Sequence, residues 1–308
     1  MSALTRWHIG EATITAVVEQ PLDDINELIQ KATPQNLAEI TWLRPHFMDE
    51  DGKLLGLIQC FVIEIADKQI VVDTCVGDHK DLPINPDWNQ QVFGLFERFH
   101  EAGFDPQLID FVLCTHLHLD HVGMNTLLID GQFVPTFPNA AYLFARTEFE
   151  FWTGEYERLE EDPATLERAF DRMRANFHKT QKHVHDQSVQ PVFDAGLAEL
   201  VDLPYEIVPG VRLISTPGHT PGHASVEIAS EGARALITGD CFHHPCQIAR
   251  HEWGTHADID RDEGKATRQA ILEEMCGSGE LMIGSHFAWP IAGRIARDGE
   301  TYRLETDE

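Results

Sequence analysis

The hexad His-Leu-His-Leu-Asp-His at residues 116–121 restricts what this chain can fold into more than any other feature of its sequence. It directly follows the apolar run 111–114, and four of its six side chains are of types that bind metal ions. A short apolar run that ends in polar residues is typical of a buried strand entering a loop. Open α/β layers place their sites at the carboxyl ends of such strands. We therefore expect strand, loop and ligands to form one rigid unit.

Three later apolar runs also end just before a side chain of metal-binding type. Taken alone, a histidine after a strand is more often a structural or surface residue. The joint occurrence of these runs with the hexad favours a metal centre instead. The runs and the side chains that follow them are Val211–Thr216 with His219, Ala235–Thr238 with Asp240, and Leu281–Gly284 with His286.

The spacing within the hexad predicts two neighbouring metal ions. Alternate residues of an extended segment point the same way, so His116 and His118 can reach one ion, whereas Asp120 and His121 turn toward an adjacent position. Imidazole nitrogen and carboxylate oxygen suit Zn²⁺, and Mn²⁺, Co²⁺ and Fe²⁺ accept the same donors. We expect Zn²⁺, with one coordination position left for water as in catalytic sites.

Composition predicts one large globular domain over residues 1–308. The chain is 43% hydrophobic, which is ample for a core, and single domains of packed sheets can exceed about 200 residues. The six cysteines are scattered without a C-x-x-C pair, so we expect buried reduced thiols. Neither a signal peptide nor a membrane span is recognisable, which predicts a soluble, cytoplasmic protein.

The charge balance argues against polyanionic partners. The 23 Lys and Arg residues face 51 Asp and Glu residues, which gives a formal charge of −28. Such a field repels nucleic acids and anionic membranes, so neither is expected as a partner. A small-molecule substrate is compatible with it.

The order of elements predicts two packed sheets with helices outside. Strands are expected at 12–19, 57–65, 69–73 and 141–145, with a hairpin at 66–68, and a helix at 88–102 ends at Gly103. A helical insert is expected at about 148–190, where four apolar residues recur at helical spacing. These residues are Leu166, Phe170, Met173 and Phe177. The insert is interpreted either as a lid, as a dimer contact or as a helix packed on the core.

The hexad matches, residue for residue, the H-x-H-x-D-H signature of the metallo-β-lactamase superfamily, which the chain resembles over roughly residues 10–305. The resemblance implies an α/β fold, the αβ/βα four-layer sandwich of two mixed sheets with helices on the outer faces. It also implies two metal ions and a homodimer. The implied ligands are His116, His118 and His219 for one ion, Asp120, His121 and His286 for the other, and Asp240 as the bridge.

Asp240 and His243 indicate the branch of the superfamily. Zinc β-lactamases carry Cys or Ser in place of the bridging carboxylate Asp240, and flavodiiron proteins carry an acidic residue in place of His118. The segments 239–243 and 285–302 resemble the methyl parathion hydrolase-like group, which is close to the N-acyl homoserine lactonases. Those lactonases place a tyrosine where this chain has His243.

Other residues are assigned roles around the metal ions. Asp73, after the hairpin, is expected to hold a ligand imidazole in the correct tautomer, and a strand-end cap is its alternative. Asp120 is a candidate for proton transfer, and His243 is a candidate either for hydrogen bonding to substrate or for packing alone. Four aromatic residues are candidates for an apolar substrate wall or for core packing. They are Phe149, Trp152, Phe287 and Trp289.

The leading hypothesis is hydrolysis of an ester, lactone or phosphotriester bond by a hydroxide that bridges two metal ions. The first alternative is β-lactam or thioester hydrolysis on the same centre. The second is a binding module that the metals merely brace. Closed, cysteine-rich sites are typical of structural zinc, whereas this set is rich in His and Asp.

Overall fold

The computed structural model describes residues 4–23, 25–83, 85–161 and 169–307. The chain divides into two compact units. The first contains the chain up to Trp7, Thr13–Glu19 and Gln59–Asp202, and the second contains His8–Ala12, Gln20–Ile58 and the chain from Leu203 onward. A single domain over residues 1–308 stays a prediction.

The strands form two seven-stranded sheets and a separate two-stranded hairpin. The sheet orders are β1-β2-β3-β4-β5-β8-β9, β10-β11-β12-β13-β14-β15-β16 and β6-β7. Both large sheets mix parallel and antiparallel pairs, as the resemblance implied. The strands are β1 (Arg6–Ile9), β2 (Ala12–Leu22), β3 (Gly56–Ile65), β4 (Lys68–Val72), β5 (Phe111–Leu113), β6 (Thr126–Ile129), β7 (Gln132–Pro135), β8 (Ala141–Ala145), β9 (Ala198–Val201), β10 (Tyr205–Val208), β11 (Val211–Ser215), β12 (Ala224–Ser230), β13 (Ala233–Ile237), β14 (Leu281–Ile283), β15 (Ala292–Asp298) and β16 (Thr301–Glu305).

In the first sheet, three consecutive neighbours end at the same edge. β3 and β4 form the expected hairpin, whose turn residues Ala66 and Asp67 both have positive φ, as a tight primed turn requires. β4, β5 and β8 then pair in parallel. Their carboxyl ends therefore bring together Asp73, the hexad and the segment that follows Ala145.

In the second sheet, β11 and β13 run in the same direction because each is antiparallel to β12. β14 pairs in parallel with β13, with Ile237 opposite Ile283. The carboxyl ends of these three strands thus lie at one edge. Each of the three later ligand candidates follows one of them.

The helices lie between strands in the order of the chain. Packed under the second sheet is a large apolar cluster that includes Phe47, Phe242, Leu272 and Phe287. Within the described ranges, no helix combines the length and the apolar character that a membrane span requires. The helices are α1 (Ile25–Leu28), α2 (Pro34–Leu37), α3 (Leu95–Glu101), α4 (Arg146–Glu161), α5 (Ala169–Ser188), α6 (Gln190–Asp194), α7 (Cys246–Ala249) and α8 (Arg261–Met275).

The helix expected at 88–102 is shorter than predicted. α3 begins at Leu95, because Gly94 is left-handed (φ 73°) and the Asp78 carboxylate accepts hydrogen bonds from the N–H groups of Phe93 and Gly94. Its end before Gly103 is as expected, and Gly103 has a φ of 97°. Helical spacing alone therefore overextended the helix at its start.

The insert expected at about 148–190 is helical wherever the structure describes it, in α4 and α5. Leu166, one of the residues that predicted it, lies outside the described residues. Phe177 is half-buried and contacts the ring of His118 at a centroid distance of 5.4 Å. The insert thus packs beside the hexad loop.

Candidate functional site

The hexad leaves β5 as a buried loop in the first unit. The rings of His116 and His118 lie 4.5 Å apart, and those of His116 and His121 lie 4.2 Å apart. One ligand atom of His116 lies within 4.8 Å of one from His118, and the same holds for Asp120 and His121. The histidines are buried, whereas Asp120 is half-buried. The loop therefore brings potential ligand atoms close together, His116 with His118 and Asp120 with His121.

Asp73 fixes the orientation of His121. Its Oδ1 accepts the N–H of Thr115 at 2.8 Å, and its Oδ2 lies 3.0 Å from Thr115 Oγ1 and 2.9 Å from His121 Nδ1. The Asp73 carboxylate is buried, so His121 donates through Nδ1 and keeps the lone pair of Nε2 for another partner. This geometry supports the role expected of Asp73, and its φ of 56° reflects the sharp turn at the end of β4.

His219 is held by an aspartate that the sequence did not reveal. His219 Nδ1 lies 3.0 Å from Asp258 Oδ1, and Thr255 donates to the same carboxylate through both its N–H and its hydroxyl. Burial alone would raise the pKa of Asp258. The hydrogen bond from His219 and the nearby Arg268 guanidinium outweigh burial and hold that pKa well below its usual range. Asp258 therefore plays for His219 the part that Asp73 plays for His121.

Asp240 lies in a short turn after β13 and faces three imidazoles of the second unit. Its Oδ1 is 3.1 Å from His286 Nε2, and its Oδ2 is 3.4 Å from His219 Nε2 and 3.1 Å from His243 Nε2. The carboxylate is buried. A buried carboxylate that faces different histidines with its two oxygens has the arrangement that a bridging ligand needs.

A histidine that the sequence analysis did not single out, His223, orients that turn. The backbone N–H of Asp240 donates to His223 Nε2 at 2.9 Å, so His223 carries its proton on Nδ1. His223 Nδ1 lies 3.1 Å from the carbonyl oxygen of Thr216, in the segment that leads to His219. His223 is fully buried and thus ties the segments of Asp240 and His219 together.

His286 forms two hydrogen bonds with the backbone of Leu57. His286 Nδ1 lies 2.9 Å from the Leu57 carbonyl oxygen, and the Leu57 N–H donates to the His286 carbonyl at 3.1 Å. The ring is buried. Its Nε2 therefore points toward Asp240 in a fixed direction.

His243 belongs to the same cluster. Its ring centroid lies 4.8 Å from that of His219, and ligand atoms of His219, His243 and Asp258 all lie within 4.8 Å of one another. Burial lowers the pKa of His243, although the nearby Asp240 carboxylate opposes that shift. A neutral imidazole beside the ligands can both donate and accept a hydrogen bond.

The four wall candidates have different environments. Phe287 and Trp152 are fully buried, Phe287 within the apolar cluster of the second unit. Phe149 is half-buried and stacks on Phe193 at 4.6 Å. Trp289 is 53% exposed and lies 5.7 Å from the ring of His46. These placements favour packing roles for the first three and leave Trp289 available to a ligand.

Two other histidines, which are not ligand candidates, have structural partners. His244 is buried with Nε2 2.8 Å from the Phe47 carbonyl oxygen, and burial lowers its pKa to about 4. His183 pairs with Asp81 at the surface. All six cysteines are free thiols and five are buried. Burial raises the pKa of Cys241 to about 12, which does not favour a thiolate ligand.

The donor set fits divalent metal ions of the zinc type. Metal-ligating imidazoles usually present one ring nitrogen to the metal and bond the other to a carboxylate, carbonyl or hydroxyl. Four ligand candidates have such a partner for Nδ1. The pairs are His116 with Thr115 Oγ1, His121 with Asp73, His219 with Asp258, and His286 with the Leu57 carbonyl.

The model of the metallo-β-lactamase superfamily matches residues 55–275, which is more than half of the sequence. The chain belongs to this superfamily. Solved members of similar fold include the hydrolase AbOPH of the β-lactamase superfamily (TM-score 0.79, 24% identity, 100% of this chain and 98% of that one). Another is the dizinc quorum-quenching lactonase AidC in complex with its product (TM-score 0.76, 20% identity, 99% and 98%). The α/β fold with two mixed sheets is therefore the metallo-β-lactamase fold, as expected.

The sequence relatives include N-acyl homoserine lactonases. An N-acyl homoserine lactonase of Bacillus thuringiensis is 25% identical over 201 residues, which cover 60% of this chain and 64% of the relative. The lactonase AttM of Rhizobium radiobacter is 28% identical over 151 residues, 47% of this chain and 45% of the relative. The chain thus spans less than two thirds of the length of these relatives.

Proposed function

We propose that this protein is a hydrolase that depends on two divalent metal ions and cleaves a lactone or related ester of a small molecule. The observation that carries the proposal is Asp240, whose two oxygens face His286 and His219 at 3.1 and 3.4 Å. In the superfamily pattern, these histidines bind different ions. A buried carboxylate between them suits a bridge better than a structural closed site.

The proposed ligands are those expected from the sequence, with Zn²⁺ as the proposed metal. Their donor chemistry and the fixed Nδ1 partners of the imidazoles support the assignment. One ion would be held by His116, His118 and His219, the other by Asp120, His121 and His286, with Asp240 shared.

When bound, two such ions lower the pKa of water and polarise a carbonyl or phosphoryl oxygen, so no side-chain nucleophile is required. Asp120, which is half-buried, is positioned in the hexad loop to accept a proton and pass it to the leaving group. His243 takes the place of the lactonase tyrosine and hydrogen-bonds a substrate oxygen from beside Asp240. The exposed ring of Trp289 contributes to an apolar wall for the substrate.

A lactone is the preferred substrate class because the relatives are N-acyl homoserine lactonases and AidC is a lactonase. Phosphotriesters are a second class, supported by the resemblance of the segments around Asp240 and His286 to the methyl parathion hydrolase-like group. The cytoplasmic homodimer expected from the sequence stays a prediction.

The test is a comparison of kcat/KM for an N-acyl homoserine lactone, a phosphotriester, an aryl ester, a thioester and a cephalosporin, with metal-loaded protein. We expect the lactone to be cleaved fastest and chelation to abolish the reaction. His243→Phe, which replaces the imidazole with an aromatic ring that forms no hydrogen bonds, should lower kcat while two metals stay bound. Cleavage of the cephalosporin or thioester faster than the lactone would contradict the proposed substrate class. Absence of hydrolysis of all five substrates would contradict the proposal that the protein is a hydrolase.

A further inference from the structure

Leu117 separates the two histidines His116 and His118, and both of its backbone polar groups are bound by side chains from outside the loop. The Leu117 N–H donates to Glu148 Oε1 at 3.1 Å. The Leu117 carbonyl accepts from Gln181 Nε2 at 2.5 Å. Leu117 lies outside the strands of the sheet, so these two side chains take the place of ladder partners.

Both side chains come from the helical insert. Glu148 lies in the first turn of α4, which directly follows β8, the parallel neighbour of β5. Gln181 lies in α5. Both are buried. The insert therefore contacts the hexad loop through specific hydrogen bonds as well as through apolar packing.

Trp152 fixes the Glu148 carboxylate in turn. It lies one helical turn further along α4, and its Nε1–H donates to the same Oε1 at 2.8 Å. The Trp152 ring also contacts that of His118 at a centroid distance of 5.4 Å. This explains why Trp152 is fully buried: it supports the ligand loop from behind and is not a surface for substrate.

We propose that Glu148 and Gln181 are positioning residues of the metal centre. They hold the two peptide groups that flank the Leu117 side chain, and these peptide planes set the direction of His116 relative to His118. The proposal rests on the proposed function, because it assumes that both histidines bind one ion. It assigns the insert the role of bracing the ligand loop.

A bracing role differs measurably from general stabilisation of the fold. Removing either bond leaves a buried peptide group unpaired and lets the loop relax to satisfy it. We then expect the metal affinity to fall and the geometry of bound metal to change, while the free energy of unfolding of the metal-free protein changes little. A side chain that only fills the core would change that stability and leave the metal geometry as it is.

The test uses the full chain with Gln181→Met, which keeps the length of the side chain and removes the donor. Thr180→Val is the matched control, since Thr180 is its buried neighbour in α5 and shows no hydrogen bond to the described residues. Metal affinity is measured by competition with a chelator, geometry by the visible spectrum of the Co²⁺-loaded protein, and metal-free stability by urea unfolding. We expect Gln181→Met to lower the affinity about tenfold to a hundredfold and to shift the spectrum, and Thr180→Val to do neither.

Glu148 supplies a second, independent pair of variants should Gln181→Met not fold. Glu148→Ala removes the acceptor and should weaken binding, whereas Glu148→Gln retains an oxygen for Leu117 and should bind close to the wild-type level. Wild-type affinity and an unchanged spectrum in Gln181→Met or Glu148→Ala would overturn the positioning role. Wild-type protein that binds no metal would instead overturn the proposed function.

Discussion

At the scale of single residues, the hydrogen-bond partners of the ligand histidines determine which ring nitrogen of each imidazole is free to bind a metal. An imidazole binds a metal only through a lone pair, so its other nitrogen must carry the proton. Asp73 and Asp258 impose this state on His121 and His219. Both carboxylates are buried, so the pairing does not compete with water.

Asp73→Asn tests this arrangement. The amide of this variant would have one oxygen that can accept a hydrogen bond. Its NH₂ group would face either Thr115 or His121, where an acceptor is needed. We therefore expect metal affinity to fall about tenfold to a hundredfold. Chelator competition measures the change. The variant Asp186→Asn, which removes the carboxylate of an exposed ion pair with Lys182, is the control. Equal affinities for Asp73→Asn and Asp186→Asn would contradict the role of Asp73.

Single residues also mark the limit of sequence interpretation. The metal-ligand candidates could be predicted because each follows an apolar strand and the hexad is dense. Asp258 could not, since it lies 39 residues from the imidazole that it orients and belongs to no local pattern. His223 ends the second copy of a Thr-Pro-Gly-His repeat that begins at Thr216, but this local signal does not reveal its hydrogen bond to Asp240, which lies 17 residues away. Phe287 and Trp152 could not be separated from Trp289 for a related reason, because aromatic residues are used both in cores and in binding surfaces.

At the scale of elements, the loop that carries His219 packs closely against α8, and this contact positions His219. Gly218 has a φ of 129°, and a Cβ there would lie 2.2 Å from the backbone of Gly264 in α8. The Gly218 carbonyl also accepts the N–H of Asp260, which precedes that helix. The loop can therefore reach α8 only because residue 218 has no side chain.

Gly218→Ala should consequently lower the free energy of unfolding by about 1–3 kcal/mol through overpacking and strain. Urea unfolding of the metal-free protein measures it. Gly154→Ala is the matched control, because this glycine lies inside α4 with no neighbouring atom within 4 Å, and it should raise stability by up to about 1 kcal/mol. A Gly218→Ala variant as stable as wild type would show that the contact with α8 is not tight.

Element boundaries were less predictable than element types. The hairpin of β3 and β4 and the strand before the hexad were predicted because alternation and turn residues are local signals. The start of α3 was not, because Asp78, which binds the N–H groups of Phe93 and Gly94, lies about 15 residues earlier. Helical spacing carries no information about such a partner.

At the scale of the whole molecule, the two-sheet α/β architecture could be predicted from the order of strands and helices together with the superfamily signature. The charge of −28 agrees with a small-molecule substrate, because it disfavours polyanionic partners. The substrate itself could not be predicted from the fold, since one superfamily scaffold supports many reactions through its loops. The proposed substrate contacts of Trp289 and His243 lie in such loops. The comparison of kcat/KM between substrate classes is therefore needed to identify the substrate.

The proposed centre consists of two metal ions held by seven side chains, of which Asp240 is the bridge. Elemental analysis of protein purified without chelator, on wild type and Asp240→Ala, gives the number of metal ions per chain, and hydrolysis of the preferred substrate is measured on the same samples. We expect two metal ions per chain for the wild type, and a joint loss of metal and rate in the variant. Two ions and full activity in Asp240→Ala would contradict it.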